Sequence, residues 1–249
     1  MRSFNLSVVL PAKEEAHNLT RLLEEIAQAV PHTQSVEVIV VDDGSCDDTR
    51  EQVLALAPAL PFTCRLLCHA SCCGQSAAVY TGVQAANGQW IVTMDADGQN
   101  DPADIQQLIE LAEKQDEAHF CIIGHRQKRK DTRWKLIQSR IANSVRQWAL
   151  HDDTPDTGCG IKLLPAATFK SLPYFDHMHR YIPALVKRLG GKVLTVPVNH
   201  RPRVSGESKY TAGNRGWAGV LDIIGVRWLM HRSHFIQATE KTPPQSSQH

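Results

Sequence analysis

The chain has 249 residues and a nearly balanced charge, with 27 Lys and Arg against 26 Asp and Glu. A chain of this length buries enough surface to form a core without disulfides or metals, as one large domain or two small ones. The net charge of +1 argues against a strongly basic nucleic-acid-binding protein, and 42% apolar residues exclude a wholly disordered chain.

The N-terminal residues predict a buried strand at residues 7–10, ended by Pro11, rather than a signal peptide. A helix is predicted next, because apolar residues recur three, four and seven positions apart behind a possible N-cap at Asn18. These apolar residues are Leu19, Leu22, Leu23 and Ile26. No run of 18 apolar residues occurs, so no membrane-spanning helix is predicted.

Strands and helices continue to alternate as far as residue 123. Further strands are predicted at residues 36–41, 65–68, 90–94 and 120–123. The helices between them are predicted to open at Asp47 or Asp48, to cover residues 76–86 before an end at Asn87-Gly88, and to run from Asp101-Pro102 through Leu111. The alternation predicts an α/β fold with a mostly parallel sheet covered by helices on both faces.

The second half is less regular. It predicts a helix over about 132–150, an acidic loop through Gly158, helical residues 181–189, a strand at 193–198 and a last helix at 217–230. The last helix carries one apolar stripe, which indicates either core packing or a membrane interface. The stripe consists of Trp217, Leu221, Ile224 and Trp228.

The seven cysteines include no CxxC pair, and the twelve histidines show no ligand spacing. Neither a zinc site nor a disulfide framework is therefore predicted. We expect reduced, mostly buried thiols in a cytoplasmic protein. No GxGxxG follows the first strand, which argues against a dinucleotide-binding dehydrogenase.

Acidic clusters follow three of the predicted strands. Because the carboxyl ends of parallel strands meet at one edge, residues 11–15, 42–45 and 95–99 should converge on one crevice. Asp95 and Asp97 offer the hard oxygen ligands that suit Mg²⁺ or Mn²⁺, although a simple polar turn is the alternative. The cluster over residues 42–49 fits a nucleobase contact and a structural helix cap equally well.

A basic segment covers residues 126–140, and a second basic, turn-rich segment covers 201–209. Guanidinium groups suit phosphate oxygens, although a solvated helix face is the alternative. A hydroxyl acceptor would need a general base, for which Asp156 is the obvious residue, whereas an ionised phosphate needs none. We favour a structural or sugar-positioning role for Asp156.

The order and spacing of these segments resemble the inverting family-two glycosyltransferases of the GT-A fold, over roughly residues 5–230. The resemblance is carried first by PAKEEAHNL, VVDDGSCDDT, GQSAAVYTGVQAANG and DADGQNDP. The later segments GHR, SRIANS, DTGCGIK and RVSGESK resemble the dolichyl- or polyprenyl-phosphate mannosyltransferase branch. The chain departs from that branch at Lys13-Glu14, where an aromatic-Asn pair is usual, and at Gly98, where Leu is frequent.

The resemblance also implies roles for individual residues. The nucleoside would be held by Pro11, Glu15, Asp43, Asp95 and Ala96. Asp97 and Gln99 would bind Mg²⁺ or Mn²⁺ with the diphosphate. Arg203 and Lys209 would lie on a mobile loop over the donor phosphates, and the acceptor phosphate would be held by Arg126, Arg140 and Ser144.

The implied function is transfer of a hexose such as mannose, with inversion, from a GDP- or UDP-sugar to a polyprenyl phosphate. The chain would act as a peripheral protein at the inner face of the cytoplasmic membrane. We expect a GT-A domain over residues 1–210, an amphipathic, membrane-interfacial helix over 211–236 and a disordered tail over 237–249. The alternatives are a same-fold transferase with a hydroxyl acceptor and a non-enzymatic nucleotide-binding module.

Overall fold

The computed structural model describes residues 4–30, 35–126, 143–202 and 213–232, with the backbone alone for residues 213–218. Its strands are β1 (Phe4–Ala12), β2 (Val36–Asp42), β3 (Thr63–Cys68), β4 (Gly88–Thr93), β5 (Phe120–Arg126), β6 (Lys162–Pro165) and β7 (Lys192–Val198). They form one seven-stranded sheet in the order β3-β2-β1-β4-β6-β5-β7. The expected α/β fold with a mostly parallel sheet is confirmed.

The helices connect these strands in chain order. They are α1 (Ala16–Ala29), α2 (Thr49–Leu56), α3 (Gln75–Ala85), α4 (Asp104–Ala112), α5 (residues 143–150), α6 (Ala166–Lys170), α7 (Ile182–Arg188) and α8 (Gly213–Arg232). Short 3₁₀ turns lie at Ala57–Ala59 and Met178–Arg180. Within the described residues, no helix is both long and apolar enough to cross a membrane.

Strand β6 is the antiparallel member of the sheet. It pairs antiparallel with β4 on one side and with β5 on the other, whereas β7 is parallel to β5. The sequence analysis predicted neither β6 nor α6, because β6 has only two apolar residues between Lys162 and Pro165 and α6 is little more than one helical turn. Since β6 is antiparallel to its neighbours, it begins at the edge where those strands end, and it brings residues 151–161 there.

The core is formed by the strands and the inner faces of the helices. All seven residues of β2 are buried, as expected of a strand covered on both faces. The predicted inner face of α1 is confirmed, because its four apolar residues are at most 1% exposed. Each such side chain contributes roughly 1.5–3 kcal/mol by leaving water. They are Leu19, Leu22, Leu23 and Ile26.

Pro11 does not end β1, so that prediction was wrong. The strand runs on to Ala12, and Pro11 lies opposite Val41 of β2. On the other side, the pairing of β1 with β4 stops at Val9, whose carbonyl accepts a hydrogen bond from the Met94 N–H. Pro11 therefore lies beyond the end of β4, where its missing N–H leaves no gap in the ladder.

Two predicted helix ends were also wrong. The N-cap of α1 is Glu15 rather than Asn18, which lies in the first turn and donates its amide to Glu15 Oε2 over 2.6 Å. Helix α3 ends at Ala85, and Gly88 is the first residue of β4. A Cβ at Gly88 would lie 2.5 Å from the backbone nitrogen of Ser7, so this glycine permits close strand packing rather than capping a helix.

The apolar stripe of α8 is exposed along the part that the structure describes. Leu221, Ile224 and Trp228 are 53–62% exposed, so the alternative that the stripe packs into the core is wrong for these three residues. The side chain of Trp217 lies outside the described residues. Helix α5 adds Trp148, which is 76% exposed. The two helices are in contact, because Arg227 Nη1 donates to the carbonyl of Ala149 over 2.6 Å.

The thiols are less buried than expected. Cys121 and Cys159 are fully buried, and burial raises their pKa values to about 12 and about 11. Four other cysteines are exposed, which contradicts the expectation of mostly buried thiols. They are Cys46, Cys68, Cys72 and Cys73. Cys72 and Cys73 lie in the loop that leads from β3 to α3.

Candidate active site

The three acidic clusters meet at the carboxyl edge of the sheet, as topology predicted. The loop after β1 is joined to the loop after β2, because Glu14 N donates to Ser45 Oγ over 2.8 Å and Glu15 N to Thr49 Oγ1 over 3.0 Å. The start of α3 is joined to the end of β4, because Gln75 Nε2 donates to Asp95 Oδ1 over 2.7 Å. These contacts bring residues from three strand ends into one region.

Asp43 is almost fully buried at the end of β2, and its carboxylate is already well supplied with donors. Its oxygens accept hydrogen bonds from the backbone N–H groups of Cys73 and Gly74 at 2.7 and 2.8 Å. His69 Nδ1 and the Cys72 thiol add contacts of 2.8 and 3.2 Å. Burial alone would raise the pKa of Asp43, but these hydrogen bonds hold it below its usual range. The carboxylate thus fixes the start of α3.

Asp95 is held in a tight space at the end of β4. Its backbone N–H donates to Asn100 Oδ1 over 3.1 Å. A Cβ at Gly160 would lie 2.3 Å from Asp95 Oδ2, so only glycine fits there. Gly160 is itself fixed, because Thr93 Oγ1 donates to its carbonyl over 2.9 Å. The neighbouring Ala96 is buried.

Asp97 begins a turn whose chemistry suits a hard cation. Gly98 has a φ of +72°, and Gln99 N donates to Asp97 Oδ1 over 3.1 Å. Asp95 and Asp97 therefore stand two residues apart on one turn and supply carboxylate oxygens, which are the ligands that Mg²⁺ and Mn²⁺ prefer. The donor set fits such an ion, with Asp97 and Gln99 as the residues that would hold it.

Arg126 and Asp156 form a two-pronged pair at the same edge. Arg126 Nε and Nη2 each donate to one oxygen of Asp156 over 2.7 Å, and both side chains are at least 85% buried. Burial alone would lower the pKa of Arg126, but the paired carboxylate outweighs it and raises that pKa. Within the described residues, these bonds use two of the five N–H donors of the guanidinium.

Arg126 lies beside the acidic clusters rather than apart from them. The carboxylate of Asp95 is close enough to contribute to the raised pKa of Arg126. A Cβ at Gly158 would lie 3.1 Å from Arg126 Nη2, so the loop before β6 passes directly over the guanidinium. The structure therefore places the guanidinium of Arg126, a group that suits phosphate oxygens, near the carboxylate of Asp95.

Arg146 was not predicted, yet it organises the loop that carries Asp156. It is 5% exposed, and Nε donates to Asp152 Oδ2 over 2.7 Å. Nη1 donates to Thr157 Oγ1 over 2.5 Å and to Asn143 Oδ1 over 2.6 Å, while Nη2 donates to the carbonyl of Thr154. In the sequence, Arg146 lies on a predicted helix and Asp152 follows six residues later. Nothing in that spacing distinguishes Arg146 from an arginine on the protein surface.

The remaining predicted residues are placed as follows. Pro11 lies half-buried near the end of β1, and Ser144 lies exposed on α5, two residues before Arg146. Arg140, Arg203 and Lys209 lie outside the described residues, as does most of the basic segment over 126–140. The structure therefore brings together the acidic residues and Arg126, and it leaves the loop and helix cations as predictions.

Two histidines join the 3₁₀ turn at Met178–Arg180 to its surroundings. The ring of His179 lies 2.7 Å from Ser76 Oγ at the start of α3, and burial holds its pKa well below the usual value, so the ring is neutral. His177 Nδ1 lies 3.0 Å from Asp222 Oδ2 on α8. These contacts fasten α8 to the body that carries the site.

Solved structures share this fold. The glucosyl-3-phosphoglycerate synthase of Mycobacterium tuberculosis, crystallised with Mn²⁺, UDP and glucosyl-3-phosphoglycerate, superimposes with a TM-score of 0.65. The match covers 91% of this chain and 80% of that one at 18% identity, which shows a common fold.

Curated proteins share the sequence more closely. The dodecaprenyl-phosphate galacturonate synthase of Rhizobium johnstonii is 32% identical over 92% of this chain and 68% of its own length. The undecaprenyl-phosphate 4-deoxy-4-formamido-L-arabinose transferase of Pseudomonas savastanoi pv. phaseolicola is 31% identical over 83% of this chain and 60% of its own. This chain thus spans only about two thirds of the length of these relatives.

The family assignment follows from the extent of the match. The family model described as glycosyl transferase family 2 matches residues 7–172, which include every acidic cluster, Arg126 and Asp156. The chain belongs to glycosyl transferase family 2.

Proposed function

We propose that the chain transfers a sugar, with inversion, from a nucleoside diphosphate sugar to a polyprenyl phosphate. The curated relatives support this acceptor class, since both names contain a polyprenyl phosphate. The observation that carries the proposal is the buried guanidinium of Arg126 at the same sheet edge as Asp95 and Asp97. A phosphate acceptor needs a cation there, and the contacts of Arg126 within the described residues use two of its five N–H donors.

The pairing of Arg126 with Asp156 favours phosphate over a hydroxyl as the attacking group. Both oxygens of Asp156 accept charge-assisted hydrogen bonds, which makes this carboxylate a poor proton acceptor. A hydroxyl acceptor would require such a base, whereas an ionised phosphate is already a nucleophile. In this mechanism Asp156 orients Arg126, and Arg126 orients the acceptor phosphate towards the anomeric carbon.

The departing diphosphate must be stabilised on the opposite side of the sugar. A divalent ion bound by Asp97 and Gln99 would supply positive charge there. The Mn²⁺ bound with UDP in the solved mycobacterial structure supports this role for the fold. Arg203 and Lys209 are proposed to add charge from the loop over the donor. The donor base and sugar are left open between GDP- and UDP-linked hexoses.

The exposed stripe of α8 and α5 is proposed to contact the membrane that holds the acceptor. Trp148 of α5 and the apolar stripe of α8 are exposed, and Arg227 holds the two helices in contact. Aromatic residues with an apolar body and a polar tip suit a membrane interface. We expect a Trp148→Ser/Trp228→Ser variant to bind lipid vesicles less in a sedimentation assay. Its turnover with a short acceptor in detergent should be unchanged.

The test of the proposed function is release of nucleoside diphosphate by the purified protein. GDP- and UDP-sugars are supplied with Mg²⁺ or Mn²⁺, with and without detergent-dispersed polyprenyl phosphate. Release that depends on the lipid supports the proposal and identifies the donor. Asp97→Ala serves as the matched inactive variant, and its circular dichroism spectrum should equal that of the wild type.

The alternatives predict different results in the same assay. Release that ignores the lipid but requires a saccharide or protein hydroxyl, and that falls with Asp156→Asn, would indicate a hydroxyl acceptor. Nucleotide binding without release from any donor would indicate a binding module. Equal turnover by Asp97→Ala would remove Asp97 from the metal site.

A further inference from the structure

A second group of possible metal ligands lies at the end of β2, separate from the Asp97 turn. Asp43, His69 and Cys73 each offer one ligand atom, and these atoms all lie within 4.8 Å of one another. They come from three places in the chain: the end of β2, the residue after β3 and the loop before α3. The mechanism proposed above uses neither the imidazole nor the thiol.

The geometry is close to that of a tetrahedral site. With metal–ligand bonds of about 2.0–2.3 Å, ligand atoms around zinc stand about 3.3–3.8 Å apart. His69 Nδ1 now lies 2.8 Å from Asp43 Oδ1. Accepting an ion therefore requires the two to separate slightly and the Cys73 thiol to turn inward. Cys73 is exposed, and this rotation exchanges the 3.3 Å contact of its thiol with the Ser71 carbonyl for a metal bond.

His69 is already oriented as a metal-binding histidine would be. Its second ring nitrogen, Nε2, lies 2.9 Å from Thr81 Oγ1 on α3. Metal-bound histidines usually hydrogen-bond through the other ring nitrogen, which fixes the ring and its tautomer. The Thr81 hydroxyl can accept that hydrogen bond once Nδ1 binds an ion.

The charges of the three residues suit a divalent ion. One thiolate and one carboxylate carry two negative charges, which a divalent ion balances. With three protein ligands, the fourth position of a tetrahedral site is left to water. The Cys72 thiol, 3.2 Å from Asp43 Oδ2, borders the group without belonging to it.

We propose that Asp43, His69 and Cys73 bind a thiophilic divalent cation of the zinc class and thereby block nucleoside binding. Thiolate and imidazole ligands select zinc-like ions, whereas Mg²⁺ and Mn²⁺ prefer the oxygen ligands of the Asp97 turn. The inhibitory part rests on the proposed function, because it requires Asp43 to border the nucleoside. The binding part does not.

Cobalt(II) is the probe for binding, because cobalt–thiolate bonds absorb light and zinc is spectroscopically silent. The reduced, chelator-treated full chain is titrated with Co²⁺ in a thiol-free buffer. We expect a thiolate-to-cobalt absorption band in the wild type and in Cys46→Ser, whose exposed thiol lies outside the group. The band should be lost or strongly reduced in Cys73→Ser. No band in the wild type, or an equal band in Cys73→Ser, would overturn the proposal.

Thr81→Val tests the assignment of His69. Removing a hydrogen-bond partner of a metal-binding histidine lowers metal affinity by about tenfold or more. We expect the cobalt band to persist in Thr81→Val with at least this loss of affinity. An unchanged affinity would remove His69 Nδ1 from the site.

Zinc inhibition tests the functional part in the presence of excess Mg²⁺. We expect Zn²⁺ to raise the apparent KM for the donor in the wild type and in Cys46→Ser, and to have less effect on Cys73→Ser. Equal inhibition of all three would place the inhibitory ion elsewhere and overturn the blocking role. If no donor is turned over, the proposed function fails, and the cobalt titration still decides whether the site binds metal.

Discussion

Two pairs of a buried carboxylate with an arginine lie at opposite ends of the sheet. Glu37 and Arg65 pair over 2.9 Å near the amino ends of β2 and β3, and Arg126 and Asp156 pair over 2.7 Å at the carboxyl edge. The chemistry is the same, but the surroundings differ.

Glu37 is fully satisfied by the protein. Besides Arg65, it accepts hydrogen bonds from Ser7 Oγ and from the Asn87 N–H, each over 2.6 Å. Arg65 in turn donates to the carbonyl of Ala85. Arg126 has two of its five N–H donors engaged within the described residues, and it borders the acidic turn after β4. The first pair ties strands together, whereas the second places a guanidinium beside the acidic residues at the carboxyl edge.

The largest expected effect is the loss of acceptor use in Arg126→Ala. Removing a charged donor from a developing or bound oxyanion lowers turnover by about a hundredfold to a thousandfold. We expect kcat/KM for polyprenyl phosphate to fall by this amount while the Kd of the nucleoside diphosphate is unchanged. Steady-state kinetics and calorimetry measure the two quantities.

The control removes both partners. Arg126→Ala leaves Asp156 buried without its cation, which costs roughly 3–5 kcal/mol of stability. The double variant Arg126→Ala/Asp156→Ala should recover most of that stability but none of the activity. Unchanged acceptor kinetics in Arg126→Ala would show that the Arg126–Asp156 pair, like the Glu37–Arg65 pair, has only a structural role.

Two glycines extend the comparison to the backbone. In Gly160→Ala the new Cβ would lie 2.3 Å from Asp95 Oδ2, and in Gly88→Ala it would lie 2.5 Å from Ser7 N. Overpacking of this kind costs about 1–3 kcal/mol. We expect Gly160→Ala to weaken donor binding through displaced Asp95, and Gly88→Ala to lower the melting temperature with donor binding unchanged. Unchanged donor binding in Gly160→Ala, or weakened donor binding in Gly88→Ala, would contradict the assignment of the site to the carboxyl edge of the sheet.

Glu37→Gln should lower stability without touching turnover. The change keeps the shape of the side chain but removes the charge that Arg65, Ser7 and Asn87 stabilise. Since Arg65 is partly exposed, we expect a loss of about 1–2 kcal/mol in the free energy of unfolding, measured in urea. Turnover per folded molecule should equal that of the wild type, and a large drop in turnover would show that the amino end also serves the site.

The smallest effect is the pH dependence of that loss. Burial alone would raise the pKa of Glu37, but hydrogen bonds from Ser7, Asn87 and Arg65 lower it below the ordinary 4.5. A lowered pKa in the folded state stabilises the fold above the ordinary value, and this contribution disappears as pH falls through the lowered value. The stability difference between wild type and Glu37→Gln should therefore shrink below about pH 4.5. A stability difference that does not change with pH would contradict the lowered pKa of Glu37.

Most of the fold was predictable from local pattern. The apolar strands and the helical periods gave the elements from β1 to β5 because each is long enough to show its period. The ends of the strands depended on neighbours: Pro11 fits within β1 because β4 stops earlier. Strand β6 was missed because only two apolar residues lie between Lys162 and Pro165, although it decides where the loop with Asp156 lies.

The site was predictable only where its residues share a segment. The acidic clusters follow strands directly, so topology placed them at one edge, whereas Arg126 was named from the basic segment and the family resemblance. The group formed by Asp43, His69 and Cys73 was not predicted, and the spacing of the cysteines and histidines had argued against zinc. His69 and Cys73 follow Asp43 by 26 and 30 residues, and they meet it because β2 and β3 are neighbours and α3 begins beside them.

The place of β6 also constrains the order of assembly on the ribosome. Strands β1 to β4 form a contiguous set of neighbours, so they can pair as soon as they are synthesised. Strand β5 comes next in the chain but contacts the sheet only through β6 and β7. Until β6 emerges, β4 presents an unpaired edge and β5 has no partner, a state in which nascent chains associate wrongly. The interval between residues 126 and 162 is therefore the window in which a chaperone would be of most use.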